Sequence, residues 1–116
     1  MNILDSLVPS NLKARAVQLG DEFVYPYPDV LDVIGIANQN RISILGSEFF
    51  RIQADGLATM AISGYEIRFS GEWDAFVREN NELAVTFAEQ NRKGGKYGFV
   101  LTSTSADEFK QLGQQI

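Results

Sequence analysis

The spacing of apolar residues changes near residue 70, and this change marks the centre of the chain. Residues 65–69 alternate apolar and charged side chains, which is the period of a half-buried strand. From Trp73 onward, apolar residues recur at steps of three and four, which predicts a long amphipathic helix. Ser70 and Gly71 supply a turn and a candidate N-cap between the two elements. A strand that turns directly into a long helix indicates a core built from both kinds of structure.

The N-terminal third of the chain predicts two helices separated by an extended segment. The first helix begins near residue 10 and ends before Gly20. Residues 22–28 are expected to be extended, because residues that precede proline avoid the helical region. The second helix is predicted over residues 29–38, with Asp29 and Asp32 facing outward and an apolar stripe facing the core.

The predicted strands follow one another through short turns, which indicates an antiparallel meander. They cover residues 41–45, 48–53, 57–62 and 65–69. After the long helix a further strand is predicted from Tyr97 to Thr102, and Ser105 with Glu108 has the spacing of a capping box that opens a short helix. The sequence therefore predicts an α+β fold, in which an antiparallel β-meander sheet of about four to five strands has helices packed mainly on one face.

Length and charge limit the classes of function. One globular domain, residues 1–116, is expected from the length. The N-terminus lacks the pattern of a signal peptide, no apolar run is long enough to span a membrane, and cysteine is absent, so we expect a cytoplasmic protein. The net charge of −5 argues against binding to nucleic acid or to an anionic membrane. An acidic surface suits a basic partner, and solubility alone is the other explanation.

The composition leaves few routes to catalysis. The chain has neither histidine nor cysteine, which excludes Ser–His and Cys–His nucleophiles and removes the commonest transition-metal ligand. Two pairs of acids remain, Asp29 with Asp32 and Glu72 with Asp74, and the helix dipole explains acids at such positions. A carboxylate-only hydrolase would instead require Asp29 or Glu72 in a deep pocket with a raised pKa. We therefore expect no catalytic residue, no metal and no cofactor.

Two further patterns concern charged strands and a buried amide. The charges along the predicted strands alternate in sign, which indicates either cross-strand pairing or a charged recognition surface. These residues are Glu48, Arg51, Glu66 and Arg68.

Asn80 falls within the apolar stripe of the long helix, where a hydrophobic residue is expected. Because a buried amide requires partners, Asn80 is predicted to bind the backbone of a neighbouring loop, with ligand contact as the alternative.

The order of several short segments in the middle of the chain resembles that of a known group of proteins. The proline-flanked helix YPDVLDVIGIA leads into an apolar strand that ends at Leu45 and Gly46, and the strand EFFRI follows. An Asp–Gly turn, the sequence SGY at 63–65 and the helix that begins at Trp73 complete the pattern. Over roughly residues 25–87 the chain is similar to small bacterial immunity proteins of contact-dependent inhibition and polymorphic toxin systems, in particular to the family catalogued as immunity protein 40.

The resemblance implies a cytoplasmic, non-enzymatic antitoxin that binds the C-terminal toxin domain of a protein delivered by a neighbouring cell. Such an inhibitor covers the active site or a substrate-binding surface, and an acidic inhibitor is attracted to a nuclease with a basic cleft. From charge and expected exposure we predict these toxin contacts: Tyr25, Tyr27, Asp29, Asp32, Glu48, Glu66, Glu72 and Asp74. We expect a monomer or a weak dimer. The alternative is a regulatory or scaffold adaptor that self-associates through an exposed sheet edge.

Overall fold

The computed structural model describes residues 3–52, 58–63, 71–92 and 97–113. Helices and strands both occur in these ranges, and the predicted α+β class is confirmed. The elements are α1 (Ile3–Leu7), α2 (Ser10–Arg15), β1 (Val17–Leu19), β2 (Glu22–Val24), α3 (Asp29–Gln39), β3 (Ser43–Ile52), β4 (Ala58–Ser63), α4 (Trp73–Gln90), β5 (Tyr97–Thr104) and α5 (Ala106–Gly113). The strand predicted over residues 65–69 lies outside the described residues.

β3 is the central strand of an antiparallel sheet with the order β4-β3-β5. It pairs with β4 along its second half and with β5 along almost its whole length. β5 therefore returns to β3 after α4 has crossed the sheet, rather than following β4 through a short turn. β1 and β2 form a second, two-stranded sheet, and Gly20 in their tight turn adopts a φ of +58°, which glycine tolerates best.

The single meander of four to five strands is a wrong prediction for the described residues, because their strands divide between two sheets. The sequence predicts a turn at Gly46 and Ser47, yet both residues continue β3. Gly46 pairs with Thr102 of β5, and a register shift beside it accommodates the irregular segment. Backbone pairing with β5 thus outweighs the local turn signal. The first predicted helix also ends earlier than expected, because β1 begins at Val17.

A β-bridge joins the hairpin of β1 and β2 to β5. The backbone N–H of Tyr25 donates to the carbonyl of Phe99, and the N–H of Phe99 donates to the carbonyl of Tyr25, both at 2.8 Å. Gly98 permits this approach, since a Cβ atom there would lie 2.6 Å from Cγ1 of Val24 and 3.1 Å from the carbonyl oxygen of Tyr25. The end of β2 is therefore held directly against β5.

The main core lies between the three-stranded sheet and the helices α3 and α4. The rings of Phe49 and Phe99 lie 4.9 Å apart between centroids, and Phe87 of α4 meets Phe99 edge-on at 6.0 Å. The apolar stripe predicted for the long helix is buried at Phe76, Val77, Ala84 and Phe87. Burial of this kind of surface is the dominant favourable contribution to folding.

Two adjacent amides of α4, Asn80 and Asn81, are fully buried. Asn80 donates a hydrogen bond to a backbone carbonyl one turn earlier in its own helix. Asn81 accepts a hydrogen bond from the backbone N–H of Ile44 at 2.7 Å. It also donates to the carbonyl of Ile42 at 3.0 Å. Asn81 therefore bridges α4 to the backbone on either side of Ser43, where β3 begins.

Candidate functional site

The eight predicted contact residues differ widely in exposure. Asp32, Glu72 and Asp74 are exposed, Tyr27 and Glu48 are half-buried, Tyr25 and Asp29 are buried, and Glu66 lies outside the described residues. The exposed acids lie in α3 and at the start of α4. Asp74 forms an ion pair with Arg41 at 2.8 Å, and both side chains remain largely in solvent. These exposed acids can meet a partner without any rearrangement of the fold.

Asp29 holds two helices together. Nε of Arg15 donates to Oδ2 of Asp29 at 2.7 Å, and Nη2 donates to Oδ1 at 3.2 Å. The outward orientation predicted for Asp29 is therefore wrong, because this pair joins the end of α2 to the first turn of α3 and leaves the Asp29 side chain only 12% exposed. The carboxylate raises the pKa of the Arg15 guanidinium through these hydrogen bonds.

Tyr25 forms a buried pair with Asp5, a residue of α1 that the spacing pattern does not single out. The Tyr25 hydroxyl donates to Oδ1 of Asp5 at 2.7 Å. Asp5 is only 7% exposed, and burial raises the pKa of its carboxyl, while the hydrogen bond from Tyr25 acts in the opposite direction. Burial and the neighbouring carboxylate both raise the pKa of Tyr25. The sequence feature that could have indicated a buried role for Asp5 is its position within the largely apolar segment ILDSLV.

A cavity of about 240 Å³ lies beside this pair, between α1, the turn of β1 and β2, β5 and the start of α5. Its lining residues are Ile3, Asp5, Asp21, Glu22, Phe23, Val100, Leu101, Thr102, Ser103 and Glu108. Four of these residues carry carboxylates, and none of the lining residues is a lysine or an arginine. We call this feature the acidic cavity.

The elements around the acidic cavity fix the positions of its acids. Asp21 lies in the tight turn beside Gly20, and Glu22 is the first residue of β2. Glu108 belongs to the predicted capping box, which is confirmed. Oε1 of Glu108 accepts from the backbone N–H of Ser105 at 3.3 Å, and the Ser105 hydroxyl oxygen accepts from the N–H of Glu108 at 3.3 Å.

Lys13 is a cation close to the acidic cavity, although it is not among the lining residues. Its Nζ lies 5.4 Å from the centre of the Phe23 ring, within the range of a cation–π interaction. Its charge also lowers the pKa of Asp5, but by less than burial raises it. The Phe23 ring therefore already attracts a positive charge at the border of the cavity.

The composition of the cavity suits binding better than catalysis. No group of three or more acids in the described part of the chain is arranged to hold a metal ion. The volume of about 240 Å³ lies below the roughly 300–1,000 Å³ of typical small-molecule sites. Asp29 and Glu72 do not line the cavity, so the carboxylate hydrolase gains no support from it. Its size and charge fit one cationic side chain.

Comparison of the chain with models of protein families, with curated proteins and with solved structures finds no match. Among the described residues, no helix has the length and apolar character that crossing a membrane requires.

Proposed function

We propose that this chain is a non-enzymatic immunity protein of the cytoplasm, which binds a cognate toxin domain and occludes its active site or substrate-binding surface. The sequence resemblance and the net charge of −5 support the proposal. The observation that carries it is the acidic cavity, in which four carboxylates surround a space without a cation among the lining residues. A toxin with a basic cleft presents the complementary charge.

The surface near the acidic cavity has the mixed character of a protein interface. Ile3 lines the cavity and is 50% exposed, and Leu7 on the same helix is 44% exposed. Protein interfaces combine a more apolar centre with a polar, solvent-accessible rim. The exposed apolar residues of α1, together with the four acids that line the cavity, provide both parts.

The exposed acids of α3 and α4 remain predicted contacts that steer the encounter. Asp32, Glu72 and Asp74 are in solvent, and charges in such positions act mainly on the association rate. Tyr27 and the half-buried Glu48 remain predictions, as does Glu66 outside the described residues. Tyr25 and Asp29 contribute through the fold, because Tyr25 positions Asp5 and Asp29 binds Arg15.

The test is recovery of the partner from the native cell. We expect affinity purification to recover the C-terminal fragment of a large secreted protein at one-to-one stoichiometry, and expression of this chain to restore growth of cells that produce the fragment. The rates of association and dissociation between this chain and the purified fragment can then be measured. Asp32→Lys combined with Glu72→Lys is expected to slow association about tenfold at low salt and to change dissociation less. Recovery without growth protection contradicts the immunity function.

An adaptor that self-associates is the second candidate, and one observation favours it. β4 is an outer strand of the three-stranded sheet in the described ranges, and outer strands are sites of strand addition. This function predicts a concentration-dependent dimer in sedimentation velocity and no toxin fragment among the bound proteins. A monomer over the accessible concentrations contradicts self-association.

A further inference from the structure

We infer that the acidic cavity receives the side chain of one arginine from the partner protein, with its guanidinium bound to Asp5. The inference rests on the proposed function only in taking the partner to be a protein with a basic surface. It adds the ligand chemistry and the residues that recognise it. The geometry of Asp5, the apolar walls and the excluded alternatives each support it.

The carboxylate of Asp5 offers an unused acceptor at the wall of the cavity. Oδ1 is occupied by the hydroxyl of Tyr25 at 2.7 Å. Among the described residues, no other group donates a hydrogen bond to Asp5, and no fully buried side-chain oxygen lacks a partner, so Oδ2 is accessible to solvent. Because Asp5 lines the cavity, a donor that enters the cavity is able to bond to this oxygen. A guanidinium supplies both the donor and the charge.

The walls of the cavity distinguish arginine from other cations. Phe23, Val100 and Leu101 contribute apolar surface, and the Phe23 ring already lies 5.4 Å from the ammonium of Lys13. A guanidinium is planar, weakly hydrated and able to stack on an aromatic face while it donates to a carboxylate. The ammonium of lysine is more strongly hydrated and lacks the planar fork. Asp21 and Glu22, both exposed, add negative potential around the cavity.

Other ligands fit the same space less well. The described acids provide no metal-binding group, which disfavours a divalent cation. A phosphate, nucleotide or nucleic acid would meet four carboxylates and no lining cation. The remaining class is an extended side chain with a positive end and an apolar stem, and arginine has this form.

A peptide titration tests the inference without the toxin. The ¹⁵N-labelled chain is titrated with acetyl-Gly-Arg-Gly-amide, and the same peptide with lysine or with citrulline, the neutral isostere of arginine, serves for comparison. We expect saturable shifts at the amides of Phe23, Leu101 and Glu108, with binding at least tenfold weaker for citrulline and several-fold weaker for lysine. Equal binding of arginine and citrulline, or shifts confined to another surface, overturns the inference.

Single substitutions distinguish binding of arginine at the acidic cavity from non-specific attraction to the net charge of the protein. Asp5→Asn keeps an acceptor for Tyr25 and is expected to weaken arginine binding about tenfold, because it removes a charge-assisted hydrogen bond. Asp21→Asn is exposed, leaves the buried pair intact and is expected to weaken binding about threefold. Glu89→Gln changes the net charge equally but lies exposed in α4, outside the cavity, and is the matched control with no expected effect. Equal effects of Asp21→Asn and Glu89→Gln contradict a localised site.

The two proposals fail in distinguishable ways. If the arginine peptide binds at the cavity but no toxin fragment is recovered, the cavity inference stands and the immunity function fails. If a toxin complex forms and its Kd is unchanged by both Asp5→Asn and Asp21→Asn, the immunity function stands and the cavity inference fails. Measurement of the complex by calorimetry and of the peptide by NMR therefore decides each proposal separately.

Discussion

Replacement of Asn81 by alanine tests how strongly one buried amide holds α4 to the start of the sheet. Asn81 is fully buried and bonds to the backbone of Ile42 and Ile44, which flank the first residue of β3. Its amide group also donates to Oδ1 of Asn38, near the end of α3, at 2.8 Å. One side chain of α4 therefore binds both α3 and the start of β3, which lie about 40 residues earlier in the sequence.

The expected loss of stability follows from the groups that the substitution leaves without their partner. The backbone N–H of Ile44 and the carbonyl of Ile42 each lose a hydrogen bond to Asn81. A buried polar group without its partner costs about 1–3 kcal/mol, and the space left by the amide adds a smaller cavity penalty. We therefore expect Asn81→Ala to lower the free energy of unfolding by about 3–5 kcal/mol, a large share of the roughly 5–15 kcal/mol of a typical domain.

Urea unfolding followed by tryptophan fluorescence measures this loss, since Trp73 is the single tryptophan and begins α4. Asn40→Ala is the matched control, because Asn40 is exposed and its side chain donates to a carbonyl at the end of α3. We expect the control to lose less than about 1 kcal/mol. A loss below about 1 kcal/mol for Asn81→Ala, or equal losses for the two variants, would refute the reasoning.

Three further predictions concern the surroundings of the acidic cavity. Tyr25→Phe removes the hydrogen-bond donor to Asp5 and is expected to lower the free energy of unfolding, measured with urea at pH 7, by about 1.5–3 kcal/mol. The loss should be smaller at pH 3, where the carboxyl is protonated. An equal loss at both pH values contradicts a hydrogen bond to the ionised carboxylate. Folding raises the pKa of Asp5, so the contribution of this residue to stability falls as pH rises from about 4 through the folded pKa. The free energy of unfolding of Asp5→Asn, measured relative to that of the native chain, should therefore increase over that pH range. A difference between the two proteins that stays constant with pH would exclude this linkage. Gly98→Ala places a Cβ atom against the buried Val24 and should lower the free energy of unfolding by about 1–3 kcal/mol, which thermal unfolding measures. An unchanged Tm would show instead that β2 is able to move away from β5.

The periodic parts of the chain were predictable because their signal is local. The apolar stripe of α4 and the capping box of Ser105 and Glu108 each depend on residues within one or two turns, and the structure contains both. The helical spacing of apolar residues in α4 also placed the amide of Asn80 within the stripe. This spacing did not predict that the adjacent Asn81 binds the backbone near Ile44, because that contact depends on how α3 leads into β3.

The errors have a common physical origin in contacts between distant segments. Gly46 and Ser47 carry a local turn signal, but β5 pairs with both residues and keeps them in β3. Asp29 has the position of an ordinary acid in the first turn of a helix, and only the approach of Arg15 from α2 buries it. Pairing of this kind follows from tertiary packing, which overrides the propensity of a short segment.

The charge of Asp5 is difficult to explain by stability alone. Folding raises the pKa of this carboxyl, which means that folding disfavours its ionised form relative to its protonated form. An asparagine could accept the same hydrogen bond from Tyr25 without that cost. A buried charge that the fold does not require is typical of a site that uses the charge for another purpose, because stability and function compete at such positions. The position of Asp5 at the wall of a cavity with three other acids therefore favours recognition of a cation as the purpose.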